Sequence, residues 1–258
     1  ARIIAANNIL NALFMVVGAL AAAAFLAEGM SIPALFAVAA VCNAAVALFI
    51  YGLVPEFLLR FIAWIFIHVV YRLDKRGVEH IPAEGPALIV CNHVSFVDPV
   101  ILAAVSPRPI RFVMDHRIFR APVISFVFRH GKAIPIAPAK EDPEMMERAF
   151  AEVSAALREG ELVGIFPEGA ITSTGEILPF RPGVTRILER DPVPVIPLAL
   201  QGLWGSFFSR KDGPAMSRPF RRGVWSKISV VGAPPVPPEE ATPENLQAIV
   251  TRLRGEHR

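Results

Sequence analysis

Long apolar runs dominate the first part of the chain. Residues 3–26 and 32–53 are almost entirely apolar and show no recurring polar face. Each run reaches the ~20 residues that a helix needs to cross the hydrocarbon core of a bilayer. The pattern therefore predicts two transmembrane helices, or a re-entrant hairpin, over residues 1–54. Two buried helices of a soluble bundle are the alternative, and the lack of a polar face argues against them.

A third apolar run, residues 55–72, carries a stripe of larger polar side chains. Arg60, Trp64, His68 and Arg72 recur every fourth residue, which places them along one face of a helix. The run is also too short to cross a bilayer comfortably. The predicted structure is an amphipathic helix that lies in the membrane interface.

The pattern changes in residues 73–258, where short β-type runs bounded by turn residues alternate with helical runs. The predicted strands are 86–91, 110–114, 132–136, 161–166, 193–200 and 227–231, and the predicted helices include 143–158 and 243–254. This alternation predicts an α/β fold with a mixed, mainly parallel sheet flanked by helices. In such sheets the functional groups gather at the strand ends, where the turns begin.

Charge is distributed unevenly along the chain. The 258 residues include 26 Lys and Arg against 23 Asp and Glu, and residues 1–55 contain just Arg2 and Glu28. The connection 27–31 has no Lys or Arg, whereas basic residues stand on the outer side of both apolar runs. This asymmetry predicts that both outer ends face the cytoplasm, with the α/β part on the cytoplasmic face of the inner membrane. We expect membrane lipids as partners, and no nucleic acid.

Cysteine and histidine spacing predicts no metal site. Cys42 and Cys91 form neither a disulfide framework nor a metal-ligand spacing. The remaining histidines away from the motifs form no ligand pattern either: His80, His116, His130 and His257. We expect neither a metal nor a bound cofactor. Because the chain opens with Ala1 rather than Met, we also expect it to be part of a longer protein.

The first candidate site follows the predicted strand 86–91. His93 comes just after the strand and Asp98 five residues later, so the two side chains can meet across a tight turn. An imidazole suits the role of a general base toward a hydroxyl, and a carboxylate on its other nitrogen holds the tautomer. The pair predicts a base, His93, that is held by Asp98 and acts on a hydroxyl of the substrate.

Two alternatives exist for these residues. Asp98 precedes Pro99 and also has the pattern of a helix N-cap. Ser95 and Cys91 are rival nucleophiles for a covalent acyl-enzyme route, although neither lies in a Gly-x-Ser-x-Gly elbow.

The second candidate site follows the predicted strand 161–166. The run from Phe166 to Gly169 and the nearby Thr172 form a turn rich in Gly and hydroxyl residues. Exposed backbone N–H groups in such a turn suit an anionic headgroup, and a purely structural turn is the alternative. Arg181 follows closely with a guanidinium that can neutralise a phosphate.

These motifs, in this order, resemble the glycerophospholipid acyltransferase family. The resemblance rests on the Asn-His-x-x-x-x-Asp run that begins at Asn92, the Phe-Pro-Glu-Gly run that begins at Phe166, and the strand that contains Pro197. It covers residues 72–233 and implies that His93 is the base and Asp98 its partner. It further implies that the acceptor's glycerol phosphate is bound by Glu168, Gly169, Thr172 and Arg181, with Asn92, Pro167 and Pro197 in support.

Two departures from the family pattern concern the acceptor. Members that acylate lysophosphatidate usually carry Arg two residues after the Glu-Gly pair, where this chain has Ile171. They also usually carry Arg after an Ile-Pro-Ile strand, where this chain has Ala137. The resemblance therefore implies a less charged acceptor such as lysophosphatidylethanolamine, unless Arg181 and Lys132 compensate. Lysophosphatidate, giving phosphatidic acid, is the alternative acceptor.

Residues 5–15 resemble a late transmembrane helix of the major facilitator lysophospholipid transporters that are fused to acyltransferases. That resemblance implies a protein that moves a lysophospholipid inward and reacylates it, with acyl carrier protein or acyl-CoA as the acyl donor. A plain two-helix membrane anchor is the alternative for these residues. For the chain as a whole, the alternative is a non-catalytic fragment that only binds or transports lipid.

Basic and aromatic residues interleave in residues 204–227. Such a segment suits a lipid interface or an acidic carrier protein, and a solvated loop is an equal alternative. Nucleic-acid binding is disfavoured because no recognition fold surrounds the segment.

Overall fold

The structure is a computed structural model. It describes residues 2–120, 122–211, 213–216 and 225–256. The chain divides into two compact units, one that ends at Val54 and one that begins at Pro55.

The first unit is a pair of helices, α1 (Arg2–Ala27) and α2 (Ile32–Leu53). Ser31 caps α2, because its hydroxyl accepts a hydrogen bond from the N–H of Ala34. Large apolar side chains are exposed along both helices, as at Phe14 and Leu48, and an apolar surface of that extent favours lipid over water. Both helices are long and apolar enough to cross a membrane, so the two predicted candidate spans are present.

The second unit contains six helices and seven strands among the described residues. The helices are α3 (Pro55–Val70), α4 (Asp98–Val105), α5 (Pro122–His130), α6 (Pro143–Arg158), α7 (Gly183–Arg190) and α8 (Pro243–Arg254). The strands are β1 (Tyr71–Arg76), β2 (Ala87–Cys91), β3 (Ile110–Asp115), β4 (Ile134–Ile136), β5 (Leu162–Ile165), β6 (Val195–Gln201) and β7 (Ser226–Gly232).

These strands form one sheet in the order β1-β7-β6-β2-β5-β3-β4. From β6 to β4 all neighbours run parallel. β7 runs antiparallel to β6, and β1 pairs with β7 in parallel. The predicted α/β fold with a mixed, mainly parallel sheet is therefore confirmed.

Helices cover both faces of the sheet. Successive side chains of a strand point to opposite faces, so neighbouring residues of one strand belong to different cores. Ile89 of β2 packs on one face with Ile67 of α3 and Ile101 of α4. Its neighbour Leu88 packs on the other face with Val153 of α6. β2 is buried along its whole length, so polar groups can emerge only where the strand ends.

Capping side chains mark the starts of two predicted helices. Asp142 caps α6 by accepting from the N–H of Met145 at 2.8 Å, and Thr242 caps α8 by accepting from the N–H of Asn245 at 3.2 Å. A proline follows each cap, where its missing N–H costs nothing. Both helices have the predicted bounds.

All the predicted strands are present, with ends displaced by at most two residues, but β1 was missed. Arg72 was predicted on the helix face, whereas α3 ends at Val70 and Arg72 pairs in register with Lys227 of β7. β1 is an edge strand rich in charge, as edge strands commonly are. Its apolar pattern is too weak to predict a strand, and its partner is distant in the chain.

Candidate active site

The two predicted motifs meet at one edge of the sheet. His93 follows the end of β2, and the turn that begins at Phe166 follows the end of β5. β2 and β5 are parallel neighbours, so their carboxyl ends open on the same edge. The backbone also joins the two turns, because the N–H of Thr172 donates to the carbonyl of His93 at 3.0 Å.

His93 and Asp98 form the predicted contact. Nδ1 of His93 lies 2.9 Å from Oδ2 of Asp98, whose side chain is fully buried. A carboxylate oxygen only accepts, so Nδ1 carries the proton and Nε2 keeps its lone pair. Among the described residues none bonds to Nε2, and the His93 side chain is 18% exposed. The arrangement leaves a proton acceptor, Nε2, facing the open side of the site.

Asp98 does not cap α4, contrary to the alternative interpretation. Val97 occupies the cap position, and Asp98 is the first helical residue. The Asp98 carboxylate bonds backward instead, accepting from the N–H of Val94 at 2.7 Å and of Ser95 at 2.9 Å. The carboxylate therefore closes the turn that carries His93, which the motif spacing alone did not show.

Sequence reasoning gave Phe166 no role of its own. Its ring stacks on the imidazole of His93, with centroids 4.2 Å apart and planes 18° apart. The signal that was available is Gly164, a glycine inside β5, since glycine within a strand often marks a close approach of another group.

Glu168 has a different environment from the one that the resemblance implies. Its side chain is buried, and its two oxygens accept from the N–H of His93 and the N–H of Leu178, each at 2.6 Å. Each oxygen thus accepts one hydrogen bond from the protein's own backbone. Glu168 therefore joins the turn after β5 to the segments that contain His93 and Leu178, a framework role that the resemblance does not imply.

Burial raises the pKa of Glu168 to about 7, while the hydrogen bonds from Leu178 and His93 oppose the rise. Removing a carboxylate from water disfavours its charged form, and N–H donors favour it. Glu168 therefore changes protonation near neutral pH at the centre of the site.

Gly169 and Arg181 form the polar rim of the turn. Gly169 has a φ of +67°, which favours glycine. A Cβ there would lie 2.7 Å from Cζ of Arg181, so the guanidinium lies directly against the glycine. The backbone N–H of Arg181 donates to the carbonyl of Pro167 at 2.9 Å. Arg181 is exposed, and its guanidinium forms no ion pair with any described residue.

The predicted supporting residues are buried in the framework. Asn92 links β2 to β6, since its Nδ2 donates to the carbonyl of Leu200 at 3.1 Å and its Oδ1 accepts from the N–H of Leu200 at 2.8 Å. Pro197 lies inside β6, opposite Val90 of β2. Pro167 is buried within the turn. All three hold the strands that position the site and do not face its open side.

Thr172 is also used internally. Its hydroxyl accepts from the N–H of Gly175 at 3.1 Å and the N–H of Thr174 at 3.3 Å, and the side chain is buried. Such a turn closes on itself. Of the four predicted acceptor-binding residues, the structure therefore exposes two, Gly169 and Arg181.

The positions where the family pattern has arginine are apolar and buried here. Ile171 is 9% exposed and Ala137 is 1% exposed. Lys132 does not compensate, because it precedes β4 and so lies at the amino end of the parallel strands, away from the site. Its Nζ pairs with Oε1 of Glu56 at 3.1 Å.

The rival nucleophiles are inaccessible. The side chains of Cys91 and Ser95 are fully buried. Burial raises the pKa of the Cys91 thiol well above its usual range, and the Ser95 hydroxyl donates to Oδ1 of Asp98. A substrate hydroxyl beside His93 is the better placed nucleophile.

The basic and aromatic segment is described only in part, and Arg218, Phe220, Arg221 and Arg222 lie outside the described residues. Two of the described aromatic rings, those of Phe208 and Trp225, contact α3. The ring centroids of Phe208 and Phe66 are 6.2 Å apart, and Nε1 of Trp225 donates to the carbonyl of His68 at 3.3 Å.

His116 lies outside both motifs. Its ring nitrogens lie between the carboxylates of Asp115 and Glu141.

Known proteins resemble this chain in both sequence and fold. A family model described as Acyltransferase matches residues 72–201. The chain is 25% identical over 193 residues to the 1-acyl-sn-glycerol-3-phosphate acyltransferase alpha of Homo sapiens. This match covers 73% of this chain and 64% of that protein. It is 30% identical over 125 residues to a 1-acyl-sn-glycerol-3-phosphate acyltransferase of Bacillus subtilis, and the match covers 48% of this chain and 60% of that protein.

A chloroplastic enzyme of the same name from Brassica napus is 29% identical over 148 residues, covering 57% of this chain and 42% of that protein. The chain therefore spans less than two thirds of the length of each of these relatives.

A solved structure shares the fold. The 1-acyl-sn-glycerophosphate acyltransferase PlsC from Thermotoga maritima has a TM-score of 0.59 at 19% identity, covering 76% of this chain and 75% of that chain. The family model spans half of the chain and includes His93, Asp98 and the turn after β5. By this match and by the geometry of its two motifs, the chain belongs to the acyltransferase family.

Proposed function

We propose that this protein is an O-acyltransferase that moves a fatty acyl group from an acyl thioester to a free glycerol hydroxyl of a lysophospholipid. The observation that carries the proposal is the His93 ring, with Nδ1 bonded to buried Asp98 at 2.9 Å and Nε2 on the open side. The same edge of the sheet carries Gly169 and the exposed Arg181, which suit the acceptor's phosphate.

The proposed reaction is a direct transfer. Nε2 of His93 takes the proton of the glycerol hydroxyl as its oxygen forms a bond to the thioester carbonyl carbon. The tetrahedral intermediate then collapses, the carbon–sulfur bond breaks, and the leaving thiolate takes the proton from the imidazolium. Asp98 stabilises the imidazolium between the two steps. General-base assistance of this kind contributes roughly 10²–10⁴-fold to the rate.

The proposed acceptor is a phosphodiester lysophospholipid such as lysophosphatidylethanolamine. A phosphodiester carries less charge than the phosphomonoester of lysophosphatidate, and so needs fewer cations. Arg181 lies beside the turn after β5, while Ile171 and Ala137, at the two positions where the family pattern has arginine, are apolar and buried. We propose that acyl-CoA or acyl carrier protein supplies the acyl group.

Lysophosphatidate is the second candidate acceptor, because the curated relatives described above are named for acting on 1-acylglycerol-3-phosphate. A protein that only binds lipid is a third possibility. It would use the same exposed Gly169 and Arg181 without transfer at His93.

The test is labelled acyl transfer by the full chain in vesicles. Lysophosphatidylethanolamine and lysophosphatidate are offered side by side, each with acyl-CoA and with acyl-carrier protein. We expect transfer that is faster to lysophosphatidylethanolamine, lost in His93→Ala and retained in His80→Ala. His80 follows β1, which runs antiparallel to β6, so it lies at the edge of the sheet opposite the site. Equal or faster use of lysophosphatidate would overturn the acceptor proposal. Lipid binding without transfer from any donor would support the non-catalytic alternative.

We also propose that α1 and α2 anchor the protein in the inner membrane, with the second unit on the cytoplasmic face. Both helices support this proposal by their length and apolar surface. α3 is proposed to lie in the interface, because it exposes Phe57, Phe61 and Trp64 while Ile67 is buried against the sheet.

A further inference from the structure

Three rings lie in a continuous stack on one face of the sheet. The imidazole of His93 stacks on Phe166, and Phe166 stacks on Phe112, with centroids 6.1 Å apart and planes 11° apart. The three residues belong to β2, β5 and β3 or to the turns that follow them, and these strands are neighbours in the sheet. The stack therefore crosses three adjacent strands and ends at the proposed base.

The stack depends on a glycine in β5. Gly164 pairs in register with Phe112 of β3. A Cβ at Gly164 would lie 2.7 Å from two ring carbons of Phe112 and 2.8 Å from Cγ2 of Ile110, closer than packed atoms approach. Glycine inside a strand lowers its stability, so the space that it leaves for the Phe112 ring is the physical reason for this residue. Phe112 in turn supports Phe166 from the side away from His93.

One hydrogen bond does not fix an imidazole. The Nδ1 contact with Asp98 holds one corner of the His93 ring, but the ring can still tilt about that corner, because the terminal torsion of histidine is broad. The Phe166 ring, nearly parallel to the imidazole at 4.2 Å, restricts that tilt. The two contacts together set the direction of Nε2. An aromatic face also attracts a cation, and His93 becomes an imidazolium during the proposed transfer.

We propose that Phe166 is a positioning residue that holds the plane of the His93 ring, with Phe112 and Gly164 as its support. The proposal rests on the function proposed above for the role of His93 as base. Its geometric part does not depend on the reaction: Phe166 fixes the orientation of the His93 ring, and this orientation keeps Nδ1 on Asp98.

The experiment compares three variants of the full chain. Phe166→Leu removes the ring plane and keeps an apolar side chain. Phe166→Tyr keeps the plane. Phe150→Leu is the matched control, because Phe150 is a buried phenylalanine of α6 that packs on the opposite face of the sheet. It makes the same change in a core that does not touch His93.

Two readouts separate positioning from folding. The first is acyl transfer, measured as kcat and KM. In Phe166→Leu we expect kcat to fall roughly 10- to 100-fold, the effect of a misplaced reacting group, while KM changes less than about twofold. The second is the NMR spectrum of histidine labelled with ¹⁵N, in which His93→Gln identifies the signals of His93. We expect the single Nδ1–H tautomer to be replaced by a mixture in Phe166→Leu, and to persist in Phe166→Tyr and Phe150→Leu.

The proposal is wrong if Phe166→Leu loses no more kcat than Phe150→Leu and keeps the single tautomer. It is also wrong if Phe166→Tyr loses the tautomer, since side-chain volume rather than the ring plane would then hold His93. Absence of acyl transfer in the unaltered protein would instead refute the proposed function. The NMR comparison would still decide whether Phe166 positions His93.

Discussion

The two carboxylates of the site are both buried, and the structure uses them in different ways. Asp98 holds the ring of His93 and also accepts from two backbone N–H groups of the same turn. Glu168 accepts from the backbone of His93 and of Leu178, and so joins separate turns. At the scale of single residues, one carboxylate serves the base directly and the other holds the loop that presents it.

Replacing Asp98 tests the first of these roles. In Asp98→Asn the residue keeps its shape but loses the charge that stabilises the imidazolium, so we expect kcat to fall roughly 10²–10⁴-fold. Asp98→Ala should lose the same activity and also stability, because the N–H groups of Val94 and Ser95 lose their acceptor. Kinetics and thermal melting of both variants check this. If Asp98→Asn melted earlier but turned over normally, the carboxylate would be structural only.

Glu168 should make stability depend on pH near neutrality. Its pKa of about 7 in the folded protein exceeds the ordinary value of 4.5, so as pH falls the folded state takes up a proton before the unfolded state does. The stabilisation from this group is complete below about pH 4.5 and is lost as pH rises through about 7. The melting temperature of the natural protein should therefore rise relative to that of Glu168→Gln between about pH 8 and about pH 5. A constant difference across this range would contradict the prediction.

Arg181 should affect acceptor binding more than catalysis. A hydrogen bond to a charged group contributes ~1.5–3 kcal/mol, which corresponds to a rise of roughly 10- to 100-fold in the acceptor's KM in Arg181→Ala. The KM for the acyl donor should not change. Arg252→Ala, which alters an exposed arginine of α8, is the control. An unchanged acceptor KM in Arg181→Ala would place the phosphate elsewhere.

At the scale of elements, α3 combines a buried side with an apolar exposed side. Ile67 is fully buried against the sheet, whereas Trp64 is 45% exposed. The sequence predicted this amphipathic helix but extended it to residue 72. In the structure the helix ends at Val70, because the residues from Tyr71 onward form β1 and pair with β7. The long-range pairing, not the local periodicity, ends the helix.

The position of α3 can be tested by fluorescence quenching. If α3 lies in the bilayer interface, brominated lipids should quench tryptophan emission, and Trp64→Phe should remove a large part of the quenched signal. Trp204→Phe is the control, since the Trp204 ring packs against Gly175 in the loop after β5 and is not part of α3. Equal quenching in the natural protein and Trp64→Phe would show that α3 does not contact lipid.

At the scale of the whole molecule, the distribution of charge predicts the topology of the two candidate spans. The connection between α1 and α2 lacks Lys and Arg, and basic residues cluster after α3, so the connection should face away from the cytoplasm. In a Cys42→Ala background, Ser31→Cys should react with an impermeant maleimide added to intact cells. Lys75→Cys should react only after the membrane is opened. Labelling of both positions from one side would refute two complete spans and favour a re-entrant hairpin.

The sequence by itself determined the features that depend on local patterns. Apolar runs predicted the candidate spans and nearly all the strands, helical runs predicted α6 and α8 with their bounds, and the order of motifs predicted the family. These features were readable because neighbouring residues specify them. A stripe, a cap or a strand end needs no knowledge of what packs against it.

Only the tertiary structure decided how the site residues are used. It placed the oxygens of Glu168 on two backbone N–H groups, turned Asp98 back onto its own turn, and stacked Phe166 on His93. Each of these contacts depends on which distant segments become neighbours in the sheet. A single residue type is compatible with several such partners, so the sequence could name the chemical groups of the site but not their assignments.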